Sequence, residues 1–135
     1  MHKRAADFPA NQLGVPNYDE LVLVANAHRL GSDPAYASSV KRFVAGLVAG
    51  TNAAMKDPAG ATTIMQTVSQ YTPSFLQVCV PYTLKLLAQN SMKTGCTSIS
   101  AWQSFASWMK THKLIQDAPN ASAIVTDTYL PYPSC

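Results

Sequence analysis

The sequence predicts a mainly α-helical chain that contains one or two short strands. Two segments open on Asp-Pro-Ala, at Asp33 and Asp57. A proline directly after a capping aspartate is typical of a helix start, because the first helical residue needs no N–H donor. One continuous apolar run, residues 21–25, follows turn residues and favours a buried strand near 19–25. Most other apolar positions recur at helical spacing, so helices should dominate.

The first long helix is predicted to begin after Asp33 and to run to about Lys56. The apolar side chains after the cap recur with the spacing of a single helix face. That face consists of Val40, Phe43, Val44, Leu47 and Val48.

Two more helices are predicted before residue 90. One begins at Asp57, with the same cap chemistry as the helix before it. The next opens on Thr72 and Pro73 and contains Pro81, which we expect to kink or divide it because proline removes an internal hydrogen bond. Because the segments after the two Asp-Pro-Ala starts do not align, they share cap chemistry without forming a repeat.

A fourth helix is predicted to follow a capping box formed by Ser100 and Gln103 and to end at 117–119. Its buried face is expected to contain Trp102, Phe105, Ala106 and Met109. Beyond it, residues 123–126 are a weak candidate for a second strand. The chain is therefore divided into a loose lead-in at 1–13, a helical segment at 14–131 with one buried strand, and a tail at 132–135.

The charge pattern argues against nucleic-acid binding and against a membrane span. Net charge is +3 and the ten basic residues are not clustered. The longest apolar run is far too short to cross a bilayer, and the basic start has no apolar segment after it, so no signal peptide is predicted. Only 13% of residues are charged. Either part of the surface is normally covered by another protein segment, or uncharged polar side chains supply the polar surface instead.

The three cysteines predict no metal site. Cys79, Cys96 and Cys135 are widely spaced, without a CxxC pair or a neighbouring histidine at metal-ligand spacing. Cys79 is expected in the core and Cys135 in a mobile tail. A disulfide between Cys79 and Cys96 is left open.

No catalytic residues are predicted. His2, His28 and His112 are separated along the chain, and none lies in a motif that supplies a nucleophile with a base. His28 follows the predicted strand and could act as a base, but a solvated loop histidine explains it as well. No cofactor motif is present, so neither an enzyme nor a cofactor site is expected.

The entry to the predicted strand is the one place with the character of a binding site. Tyr18, Asp19 and Glu20 combine a ring that could stack on a flat ligand with carboxylates that could accept hydrogen bonds from an amine. The structural alternative is that Tyr18 packs at a sheet edge and that Asp19 accepts a hydrogen bond in a turn. Both interpretations stay open at this point.

The order of several segments resembles the C-terminal third of the substrate-binding proteins of ABC importers. The closest branch is the one for the thiamine pyrimidine precursor, hydroxymethylpyrimidine, and its formylamino relatives. The segments that carry the resemblance are Gly14–Asn26, Val40–Thr51, Lys56–Ala61, Trp108–Ile115 and Ala121–Pro131.

The resemblance implies the C-terminal portion of an α/β type II periplasmic-binding fold, a small pyrimidine as ligand and an ABC permease as partner of the full-length parent. It implies a periplasmic or extracellular location and places Tyr18, Asp19 and Glu20 near the ligand cleft. A related fungal enzyme uses a Cys-rich segment that this sequence lacks, which disfavours catalysis. The alternative is a free-standing helical interaction or structural module. Self-association is compatible with either.

Overall fold

A computed structural model describes residues 9–89 and 92–135. Within these ranges a short 3-10 helix, Ala10–Leu13, precedes six α-helices. They are α1 (Ala27–Ser32), α2 (Pro34–Lys56), α3 (Pro58–Val68), α4 (Pro73–Ala88), α5 (Ile99–Thr111) and α6 (Ala121–Ile124). The mainly α-helical prediction is confirmed. None of these helices combines the length and the apolar character that a membrane span needs.

The predicted starts of α2, α3 and α4 are confirmed by their caps. Asp33 and Asp57 each accept a hydrogen bond at 2.9 Å from the backbone N–H three residues later, and Thr72 accepts one at 3.4 Å. Proline follows each cap directly. Helix α2 ends at Lys56, as predicted, and α4 continues through Pro81 as one helix.

The predicted buried strand near 19–25 is wrong. No residue in the described ranges is assigned to a β-strand, and residues 22–26 have no regular secondary structure. Leu21 is 93% exposed and Val24 is 90% exposed. A strand exists only when a second strand takes up its backbone donors and acceptors, and no described segment supplies one. The weak second candidate, 123–126, instead contains the end of α6.

The fourth predicted helix exists, but its limits differ from the prediction. Ser98, not Ser100, is the cap, and its hydroxyl accepts a hydrogen bond from the Ala101 N–H at 3.2 Å. The helix ends at Thr111, before the predicted 117–119. The Gln103 side chain is not part of a capping box, because its carbonyl oxygen accepts a hydrogen bond from the Ala121 N–H at 3.0 Å.

The chain divides into two compact units. The first contains the described part of 1–24 together with 97–126, and the second contains 25–96 and 127–135. In the first unit α5 packs against α6, with Ala106 and Ala121 buried. In the second unit α2 contacts α1, α3 and α4, and α3 packs along α4.

The core of the second unit forms where α2 meets the segment after residue 126. Val48, Cys96 and Leu130 are buried together, and Val44 and Tyr132 pack against them. The adjacent Gly95 has a φ of +87°, a backbone conformation that favours glycine. A Cβ atom at Gly95 would lie only 2.8 Å from Leu130 Cδ2.

The cysteine pairing differs from the one left open by the sequence. Cys96 and Cys135 form a disulfide with a Cα–Cα separation of 5.7 Å, and Cys79 is free. Cys79 lies in α4, where its sulfur is 4.0 Å from the Thr83 hydroxyl. Cys135 is therefore tied to the core of the second unit and is not the mobile tail residue that the sequence predicted.

Candidate functional site

The three candidate residues lie in the non-helical segment of the first unit, before the exposed apolar run. Each of Tyr18, Asp19 and Glu20 is exposed. The positions of Tyr18 and Asp19 are set by side chains of α5 and of Thr97, the residue just before its cap. The candidate site is therefore built by one segment that is placed against one helix.

The Asp19 carboxylate is held by two donors from the same region. Its Oδ2 atom accepts a hydrogen bond from the indole N–H of Trp102 at 2.9 Å. The Thr97 hydroxyl donates to the same oxygen. Trp102 Nε1 also lies 2.8 Å from Thr97 Oγ1, so the three groups form a closed triangle. These donors lie on α5 and just before it, whereas the structural alternative had Asp19 accept a hydrogen bond within a turn. A carboxylate has about four acceptor positions, so Asp19 keeps capacity for further donors.

Tyr18 begins a row of stacked rings along α5. Its ring lies 4.4 Å from the ring of Phe105, centroid to centroid, at an interplanar angle of 9°. Phe105 in turn lies 6.0 Å from Trp108, and Trp108 lies 4.5 Å from the His112 ring. These spacings fall within the range of favourable aromatic pairs. Tyr18 is still 41% exposed, so part of its surface remains available for contact.

An open depression of about 360 Å³ borders Tyr18. It is a shallow surface feature, more open than the clefts that usually bury small molecules. Its polar side chains are Asn11, Asn17 and Tyr18, so it offers neutral donors and acceptors rather than charge. The lining is completed by Pro9, Ala10, Val15 and Pro16.

The histidines do not complete a catalytic arrangement in the described residues. His28 lies on α1, where its Nδ1 is 3.5 Å from the Ser32 hydroxyl. His112 stacks on Trp108 at the end of α5. His2 lies outside the described residues. Among the described residues, His112 makes no hydrogen bond or ion pair with Asp19 or Glu20.

The clearest electrostatic effect lies at the start of α2. Arg29 donates to the Asp33 carboxylate at 2.8 Å and also lies over the Tyr36 ring at 4.2 Å. The hydrogen bond from Arg29, followed by the backbone bond from Tyr36, lowers the pKa of Asp33 below its ordinary value. Because Tyr36 in turn accepts a hydrogen bond from the Asn26 N–H at 3.1 Å, this cluster joins α1 to α2. Its role is structural.

Sequence reasoning missed one grouping of metal-ligand residue types. The sulfur atoms of Cys96 and Cys135 and a carboxylate oxygen of Asp127 all lie within 4.8 Å of one another. Within the described residues this is the single such set of three. The three positions are too far apart in sequence for spacing to reveal them. Two of them form the disulfide.

Residues 2–61 match a protein-family model described as NMT1/THI5 like. This confirms, over that stretch, the resemblance to substrate-binding proteins for a thiamine pyrimidine. The match fits a portion of a periplasmic-binding fold and includes Tyr18, Asp19 and Glu20. The resemblance proposed for the later segments, to Pro131, stays a prediction. No curated protein and no solved structure matches the chain.

Proposed function

We propose that this chain is part of the substrate-binding component of an ABC importer for a hydroxymethylpyrimidine-like thiamine precursor, and that it acts by binding without catalysis. The observation that carries the proposal is the match of residues 2–61 to the NMT1/THI5-like family. The matched stretch contains the only segment in which the sequence predicted a ligand contact.

In this proposal Tyr18, Asp19 and Glu20 contact the ligand. Stacking on Phe105 fixes the Tyr18 ring beside the open depression, where a flat pyrimidine could lie against it. Trp102 holds the Asp19 carboxylate in one orientation. An exocyclic amine is a hydrogen-bond donor, so the Asp19 carboxylate, already held in place, can accept from it at a low cost in side-chain entropy, and Glu20 is the neighbouring acceptor.

The proposal includes an ABC permease as the partner of the full-length parent and a periplasmic or extracellular location. The Cys96–Cys135 disulfide supports this location, because structural disulfides persist mainly in oxidising compartments. The match of residues 2–61 to the NMT1/THI5-like family supports the same location independently of the disulfide.

Calorimetric titration with hydroxymethylpyrimidine and with formylaminopyrimidine tests this function. We expect saturable heat for both ligands at up to millimolar concentration, and none for uracil, a flat pyrimidine without the exocyclic amine. Glu20→Gln should weaken binding by about tenfold or more, since charge-assisted hydrogen bonds contribute roughly 1.5–3 kcal/mol. Asp117→Asn removes an exposed carboxylate of the same unit and is the matched control. It should leave the affinity for both ligands unchanged.

A second pair of variants tests the stacking contact. Tyr18→Phe keeps a ring against Phe105 and should bind almost as well as the parent chain, whereas Tyr18→Leu should lose the heat signal. Circular dichroism of each variant establishes that the helices persist. Absence of heat for the parent chain at millimolar ligand would reject ligand binding by this chain.

The second candidate function is a helical interaction or structural module without a ligand. The exposed apolar side chains of α3 and α4 favour it: Val68 is 73% exposed and Val78 is 72% exposed. Uncovered apolar surface of this kind often marks a protein contact, self-association included. Sedimentation equilibrium, combined with the calorimetric titration, separates the two candidates. A stable monomer that binds the pyrimidine supports the first. A concentration-dependent oligomer that gives no ligand heat supports the second.

A further inference from the structure

The strongest unassigned grouping lies at the disulfide of the second unit. Cys96 Sγ, Cys135 Sγ and a carboxylate oxygen of Asp127 all lie within 4.8 Å of one another. Cys96 is buried, Asp127 is half-buried and Cys135 is exposed. Thiolate and carboxylate are both ligands of divalent zinc, and three protein ligands with one open position form a known type of zinc site.

Contacts other than the disulfide hold both sides of this cluster in place. Leu130 packs with Cys96 in the core, and its N–H donates to the Asp127 carbonyl at 3.0 Å. The Lys93 ammonium donates to the Ser134 carbonyl at 2.7 Å and lies 5.5 Å from the Tyr132 ring. The segment that carries Asp127 and Cys135 is therefore anchored beside Cys96 by packing and by hydrogen bonds. These contacts should keep the three ligands close when the disulfide is opened.

We propose that reduced Cys96 and Cys135, together with Asp127, bind a divalent cation of the zinc class. The two sulfurs then have mutually exclusive states: they form a disulfide, or they are metal ligands. This inference concerns the second unit and does not rest on the proposed pyrimidine binding.

Conversion of the disulfide into the metal site requires a reduction and then a proton release. A dithiol reductant transfers two electrons and two protons to the Cys96–Cys135 bond and itself becomes a disulfide, which leaves two thiols. Zn²⁺ replaces the two thiol protons, which pass to solvent, and two Zn–S bonds form. The Asp127 carboxylate supplies the third bond, and water occupies the fourth position.

The geometry needs only local movement. Zn–S bonds of about 2.3 Å at a tetrahedral angle place two sulfurs about 3.8 Å apart. The present Cα–Cα separation of 5.7 Å allows this through rotation of the cysteine side chains. Cys135 is exposed, so its side chain is free to turn, while the buried Cys96 stays with the core.

Cobalt is the probe for this site, because Co²⁺ bound tetrahedrally by thiolate gives a sulfur-to-metal charge-transfer band and intense visible bands. The test uses the full chain carrying Cys79→Ser, reduced with a phosphine under anaerobic conditions. We expect these bands to saturate at one equivalent of Co²⁺ and to disappear when Zn²⁺ is added. The oxidised chain should give none.

Two variants identify the ligands. Cys96→Ser should abolish the charge-transfer band, and Asp127→Asn should weaken Co²⁺ binding by at least about tenfold, a loss seen even for groups that only orient a ligand. Asp117→Asn is the control carboxylate and should bind as the parent does. The proposal is overturned if the reduced parent gives no bands, whether or not its helices persist by circular dichroism. It is also overturned if Asp127→Asn binds Co²⁺ as tightly as the parent.

Discussion

At the scale of single residues, Asp19 has a structural contact that the sequence did not identify. A carboxylate beside a tyrosine and a second carboxylate indicates a ligand site as readily as a turn. In the structure the Asp19 Oδ2 atom accepts hydrogen bonds from Trp102 and Thr97, which are far away along the chain. These partners could not be foreseen, because no local pattern relates residue 19 to residues 97 and 102.

Trp102→Phe should lower the free energy of unfolding by at least about 1 kcal/mol, because it removes the indole N–H that Asp19 and Thr97 share and part of a half-buried ring. A double-mutant cycle with Asp19→Ala, followed by urea denaturation, measures the coupling between the two side chains. Glu20→Gln, next to Asp19, is the control and should change stability by less than about 0.5 kcal/mol. Additive effects of the two substitutions would contradict a direct bond.

The Asp33 carboxyl should titrate below the usual aspartate range, because Arg29 and the Tyr36 N–H stabilise its charged form. A lowered pKa in the folded state contributes stability above the unfolded pKa of about 3.9. That stability is lost as the pH falls through the folded pKa. Carbon-13 NMR of the carboxyl group measures the titration directly.

Arg29→Met should move the Asp33 pKa towards its ordinary value. Arg42→Met is the matched control, since Arg42 contacts Ser39 on α2 rather than Asp33. An unchanged Asp33 pKa in Arg29→Met would show that the ion pair is not its main cause.

At the scale of elements, the starts of α2, α3 and α4 could be predicted because a cap is a local interaction. The acceptor and the N–H that it satisfies are two or three residues apart, so the sequence contains both. Helix α5 shows the limit of this reasoning. The sequence favoured Ser100, which forms a capping-box pattern with Gln103. In the structure Ser98 is the cap, and the Gln103 carbonyl oxygen accepts a hydrogen bond from the Ala121 N–H of α6. Helix α1 and α6 were missed because neither has a long apolar periodicity.

Gly95→Ala should destabilise the second unit by about 1–2 kcal/mol, because the residue has a positive φ. The close approach of Leu130 Cδ2 adds to this cost. Gly50→Ala is the matched control, since it lies within α2 with no heavy atom within 4 Å of the added Cβ. That change should stabilise by roughly 0.5–1 kcal/mol. Thermal unfolding of both variants checks the difference, and equal effects would contradict the assigned conformation of Gly95.

At the scale of the whole molecule, the Cys96–Cys135 bond closes a loop with a sequence separation of 39. Chain-entropy estimates give roughly 4 kcal/mol for a loop of this length. Cys135→Ser should therefore lower the free energy of unfolding by up to about that amount, measured by guanidinium denaturation of the oxidised proteins. Cys79→Ser is the control, because Cys79 is not in the bond. A similar stability for Cys135→Ser and the parent would show that the disulfide does not restrain the chain.

The sequence by itself determined the helical class, the caps of α2, α3 and α4, and the family resemblance later confirmed for residues 2–61, because these depend on short-range chemistry or on the order of residues. Tertiary structure alone decided that the apolar run 21–25 is not a strand, that Cys96 pairs with Cys135, and that Asp19 bonds to Trp102. Each of these depends on a partner distant in sequence, or on the absence of one in the described residues. Local propensity does not contain that information.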